Sequence, residues 1–100
     1  MKKYYECHVT LIGDANSIKP VVEELGWIFS SIQNDICLGE GIKCYATKHF
    51  SCSKFSQDEV IEKVLATAEN LRILDHDVIR SKVELVVYDS RSADCTINFK

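Results

Sequence analysis

The residues best suited to chemistry lie at every second position of three segments of the chain. Glu6, His8 and Thr10 alternate with apolar residues in the first segment. A histidine side chain exchanges protons near neutral pH, while threonine hydroxyls and basic side chains can hold a phosphate group. The first segment therefore indicates proton transfer or phosphate binding on one face of a strand.

Two further segments carry polar residues at the same spacing. Tyr45, Thr47 and His49 alternate in one of them, and Arg80, Lys82 and Glu84 alternate in the other. If these faces share one side of a sheet, His8 is the candidate catalytic residue. The candidate ligand-binding residues are then Thr10, Glu6, Tyr45, Thr47, His49 and Arg80. Polar residues of these types are also ordinary occupants of the exposed face of an antiparallel sheet, so both interpretations stay open.

The elements that must position these residues follow from hydrophobic periodicity. Strands are predicted over residues 4–12, 27–33, 42–50 and 78–88, and 95–99 could add a short edge strand. One helix is predicted to begin at a cap formed by Asn16 or Ser17 and to end at Gly26. A second is predicted to begin at Ser56, which can form a capping box with Glu59.

The order β-α-β-β-α-β predicts an α+β, ferredoxin-like sandwich. Two helices cover one face of a four-stranded antiparallel sheet in the order 4-1-3-2. Residues 1–100 form one such domain, with 89–100 as a tail or an extra edge strand. Lys48 interrupts the apolar face of the third strand, so the pattern does not decide which of its faces is buried.

Composition restricts the classes of function. The 100 residues carry a net charge of -3, which argues against general affinity for nucleic acid. The five cysteines form no CxxC pair, and their spacing matches no usual zinc site. We therefore expect no metal, no cofactor and a reducing, cytoplasmic setting. No apolar run approaches the ~20 residues of a membrane span.

One short motif resembles a known family. His8-Val9-Thr10-Leu11 resembles the His-hydrophobic-Thr-hydrophobic signature of the two-histidine phosphoesterases, in which the motif occurs twice. There the histidines act as general acid and base on a phosphodiester, and the hydroxyls hold the phosphate. The resemblance implies an acid–base role for His8 and a phosphate contact for Thr10. Because this chain has one copy of the motif, catalysis would need a homodimer.

The chain as a whole also resembles a group of short uncharacterised proteins of bacteria and their phages. The matching stretches are YYECHVT at residues 4–10 and VYDSR at residues 87–91. This resemblance implies a recurring small module and brings no established activity.

Three functions follow from these observations. The first is a non-catalytic binding or regulatory module that acts through its sheet face or as a homodimer, on a protein or a small phosphate-containing ligand. The second is a homodimer that binds or cleaves a phosphodiester with His8 and Thr10. The third is RNA binding by aromatic residues on the sheet, such as Tyr4 and Tyr45. The third is the least favoured, because of the net negative charge and the lack of a Gly-aromatic-x-aromatic pattern.

Overall fold

Alternating apolar side chains and two amphipathic segments produce the α+β fold that the sequence predicts. The computed structural model describes residues 3–33 and 42–87. Its elements are β1 (Tyr4–Ile12), α1 (Ala15–Glu24), β2 (Ile28–Gln33), β3 (Ile42–Ser51), α2 (Gln57–Ile73) and β4 (Asp77–Val86). The predicted edge strand at 95–99 and the tail at 89–100 lie outside the described residues.

The four strands form one antiparallel sheet in the order β2-β3-β1-β4. Viewed from the other edge, this is the predicted order 4-1-3-2, so the ferredoxin-like arrangement is confirmed. β1 lies in the interior of the sheet, paired with β3 on one side and β4 on the other. The polar positions of three strands therefore lie next to one another.

The burial of β3 identifies the face that the helices cover. Cys44 and Ala46 are fully buried, whereas Tyr45 and Thr47 are partly exposed on the opposite face, here called the open face. Lys48 shares the helix-covered face and places its Nζ 5.4 Å from the ring centroid of Phe50. The hydrophobic core lies between this face and the helices, and it comprises Cys7, Val9, Leu11, Ile18, Val22, Trp27, Cys44, Ala46, Phe50, Val60, Val64, Ala68 and Leu71.

Helix α1 begins earlier than the sequence predicts. Asp14 is its N-cap, and the Asp14 carboxylate accepts hydrogen bonds from the Asn16 amide at 3.4 Å and the Ser17 hydroxyl at 2.8 Å. The prediction of a cap at Asn16 or Ser17 is therefore wrong, because the turn before them already supplies a better-placed acceptor. The helix ends before Gly26, whose φ of 84° suits glycine.

Helix α2 begins with the capping box that its sequence predicts. The Ser56 hydroxyl accepts from the Glu59 amide at 3.2 Å, and the Ser56 amide donates to the Glu59 carboxylate at 2.9 Å. These two bonds satisfy backbone amides that a helix start leaves free. In the described part of the chain, no helix is long and apolar enough to cross a membrane.

A register shift in β4 changes which of its residues reaches the core. Thr10 pairs with Arg80 and Leu11 pairs with Val78, so Ile79 is the extra residue of a β-bulge. Simple alternation does not predict this interruption. Val78 packs against the core, and Ile79 is 44% exposed.

Candidate functional site

Strand register arranges the open face into two cross-strand rows. The His8 row runs from β2 to β4 as Ile28, Thr47, His8 and Lys82. The Thr10 row lies beside it and runs as Ser30, Tyr45, Thr10 and Arg80. Because side chains directly opposite each other on one face lie close together, each row forms a continuous strip.

A cavity of about 280 Å³ opens on this face, and it is here called the open-face cavity. Its lining consists of His8, Thr10, Ser30, Ile32, Tyr45, Thr47, Arg80 and Lys82. Five of the seven candidate residues predicted from the sequence therefore share one concave site. The polar faces meet there because β1 lies between β3 and β4.

His8 is held by hydrogen bonds at both ring nitrogens. Its Nε2 lies 2.6 Å from the Glu6 Oε1, and its Nδ1 lies 3.1 Å from the Thr47 Oγ1. The ionised carboxylate can only accept, so the proton of a neutral His8 is placed on Nε2. Nδ1 then accepts a hydrogen bond from the Thr47 hydroxyl. The result is a carboxylate–imidazole–hydroxyl chain whose last member faces the cavity.

Glu6 and His49 lie next to the open-face cavity and are not part of its lining. The second carboxylate oxygen of Glu6 is 3.4 Å from the His49 Nε2. The His49 ring in turn lies against Tyr4, with ring centroids 4.7 Å apart. Of these two predicted site residues, Glu6 contacts His8 directly and His49 contacts Glu6, and neither lines the cavity.

The two cationic side chains that line the cavity, Arg80 and Lys82, are both on β4. The Lys82 Nζ lies 2.8 Å from the Glu84 Oε1, and this hydrogen bond and charge lower the pKa of the Glu84 carboxyl, with smaller contributions from His8 and Arg80. Arg80 forms no ion pair with an acidic group of the described residues. Its guanidinium is thus the cation of the cavity that is open to an anionic ligand.

The two threonines of the cavity differ in how far they are buried. Thr10 is only 5% exposed at the floor of the cavity, whereas Thr47 is more accessible. Thr47 is therefore the better placed of the two hydroxyls to meet a ligand, although the motif in β1 draws attention to Thr10.

Three lining residues are absent from the set of sequence candidates: Ser30, Ile32 and Lys82. Lys82 shares the alternation of Arg80, and that signal could have identified it. Ser30 and Ile32 are on β2, an edge strand, and they line the cavity only because of the register between β2 and β3. Periodicity assigns residues to a face and does not supply that register.

The described cysteines are not part of this site. Cys7 and Cys44 are buried under the helices. Burial, followed by the charge of the neighbouring Glu6, raises the pKa of the Cys7 thiol to about 11. Burial also raises the pKa of Cys44. A thiol that stays protonated is a poor nucleophile and a poor metal ligand.

Within residues 3–33 and 42–87, no three His, Cys, Asp or Glu side chains are arranged to hold a metal ion. The available groups are hydroxyls, one imidazole, one guanidinium and one ammonium, which together can hold an oxyanion by hydrogen bonds and charge. No protein family, curated protein or solved structure with which the chain was compared matches it.

Proposed function

We propose that this protein is a small, non-catalytic module that binds a phosphate-containing anion in the open-face cavity. The observation that carries the proposal is the position of Arg80. It has no carboxylate partner among the described residues and lines the same cavity as Thr47, Ser30 and Tyr45. A guanidinium in a cavity that also carries hydroxyl groups can hold phosphate oxygens by charge and hydrogen bonds.

The geometry of His8 supports binding over turnover. A catalytic acid or base must come within hydrogen-bond reach of the group that it protonates or deprotonates. Both ring nitrogens of His8 already bond to side chains of this chain. We therefore assign His8 and Glu6 a positioning role, in which they hold the Thr47 side chain at the wall of the cavity.

The proposal is tested by isothermal titration of the purified protein with inorganic phosphate at low salt. Arg80→Gln should weaken binding roughly tenfold or more, because hydrogen bonds to charged groups contribute about 1.5–3 kcal/mol. Arg72→Gln is the matched control, since Arg72 lies on α2 and not in the cavity. Equal affinities in the two variants would contradict the proposal, as would a wild-type protein that binds no phosphate.

The phosphodiester-cleaving homodimer remains a second candidate, and one distance favours it. The 2.6 Å contact between Glu6 and His8 is the kind of contact that orients an acid–base imidazole. This candidate predicts that cyclic or linear phosphodiesters are hydrolysed, that His8→Ala removes the activity without unfolding, and that the active species is a dimer. Absence of turnover across such a panel would exclude it.

A further inference from the structure

The open-face cavity has a charged end and an opposite end formed by Ile32 and Ser30, which is called the apolar end after its isoleucine. Arg80 and Lys82 lie on β4, at one edge of the sheet. Ile32 lies on β2 at the opposite edge, and 51% of this apolar residue is exposed. Tyr45, on β3, lies between the two ends. A simple phosphate ion would use only the charged end and leave the apolar end in water.

Strand spacing sets the length of a ligand that uses both ends. β2 and β4 are separated by three strand spacings, or about 14 Å between their backbones. The side chains of both edges reach inward, so the space between them is shorter than this. A volume of about 280 Å³ lies just below the usual range for small-molecule sites, roughly 300–1,000 Å³. The cavity therefore suits a molecule with one anionic group and one ring.

We infer that the ligand is a phosphate monoester that carries one aromatic ring. This inference rests on the proposed function and deepens it by naming the part of the ligand beyond the phosphate. The phosphate lies against Arg80, and the ring lies against Ile32 and Tyr45. Aromatic rings pack favourably on apolar side chains and on other rings, and removal of the Ile32 surface from water adds to the affinity.

The experiment compares phenyl phosphate, inorganic phosphate and phenol by isothermal titration against the full chain. We expect phenyl phosphate to bind at least about tenfold more tightly than inorganic phosphate, and phenol to bind far more weakly than phenyl phosphate. Ile32→Ser should reduce the preference for phenyl phosphate and leave the affinity for inorganic phosphate unchanged. Arg80→Gln should weaken both phosphates.

Ile28→Ser is the matched control for Ile32→Ser. Ile28 lies on the same strand and the same face, is 70% exposed, and does not line the cavity. It should therefore keep the full preference for phenyl phosphate. A normal circular dichroism spectrum of each variant establishes that it is folded.

The possible failures are distinguishable. The aromatic ligand is overturned if inorganic phosphate binds as tightly as phenyl phosphate. It is also overturned if the two isoleucine variants lose the preference for phenyl phosphate equally. Either result leaves the proposed function standing. Binding of neither phosphate would overturn both. Phenol that binds as tightly as phenyl phosphate would identify an apolar site and also overturn both.

Discussion

The proton of His8 determines what Thr47 can offer to an anion. With a neutral imidazole, the Thr47 hydroxyl donates to Nδ1 and turns only lone pairs toward the cavity. When His8 carries two protons, Nδ1 donates to Thr47 instead. The Thr47 hydroxyl can then donate to a bound oxyanion. A hydrogen bond from Thr47 to a bound oxyanion therefore requires the arrangement in which Nδ1 carries a proton.

Sulfate affinity at constant pH tests the contribution of the Thr47 hydroxyl. Thr47→Val removes this hydroxyl and keeps the shape of the side chain. It should weaken sulfate binding in isothermal titrations, because an anion held at Arg80 favours the arrangement in which the hydroxyl donates to it. Thr47→Ser keeps the hydroxyl and should bind sulfate as the wild type does.

A variant outside the cavity serves as the control for Thr47→Val. His49→Gln should bind sulfate as the wild type does, because His49 contacts Glu6 and does not line the cavity. Wild-type sulfate affinity in the Thr47→Val protein would show that the Thr47 hydroxyl contributes nothing to the site.

At the scale of the elements, the sequence predicts some helix caps and strand registers and misses others. The capping box at Ser56 depends on two residues three positions apart, so it could be predicted from the sequence. The bulge at Ile79 depends on pairing between β1 and β4, which are far apart in the sequence, and simple alternation misses it. The sequence also did not decide the open face of β3, because a charged residue, Lys48, lies on the helix-covered face with its Nζ over the Phe50 ring.

The capping box makes a testable contribution to stability. Ser56→Ala should lower the free energy of unfolding by about 1 kcal/mol in urea titrations, since it removes the acceptor for the Glu59 amide. Asn70→Ala, on the exposed side of α2, should not lower it. Equal losses in the two variants would mean that the box adds nothing to stability.

The charge of Glu59 makes the contribution of the capping box to stability depend on pH. Hydrogen bonds with the Ser56 amide and side chain lower the pKa of the Glu59 carboxyl. A lowered folded-state pKa stabilises the protein above the unfolded-state value, and this stabilisation is lost as the pH falls through the folded-state pKa. Glu59→Gln should lack this dependence, so its stability and that of the wild type should approach each other in acid.

At the scale of the whole molecule, the site is a product of chain topology. The alternation in β1 predicts that His8 and Thr10 share a face, and the order of elements predicts that β3 and β4 flank them. The contributions of Ser30 and Ile32 depend on how an edge strand aligns, which is set by tertiary contacts and not by local pattern. The hydrogen bonds of His8 are beyond sequence reasoning for the same reason, because side-chain positions decide them.

The two faces of β1 should be separable by mutation. Leu11 is fully buried on the helix-covered face, so Leu11→Ala should cost about 3–5 kcal/mol of unfolding free energy. That is a large share of the roughly 5–15 kcal/mol expected for a domain of this size. Leu65→Ala, at a position that is 57% exposed, should cost less than about 1 kcal/mol in the same urea titrations.

Phosphate affinity then tests whether the faces are independent. The folded fraction of the Leu11→Ala protein should bind inorganic phosphate as the wild type does, because the substituted side chain points away from the cavity. Saturating phosphate should also raise the urea midpoint of both proteins, since a ligand that binds only the folded state stabilises it. Loss of phosphate binding by folded Leu11→Ala protein would show that the cavity depends on core packing as well as on strand register.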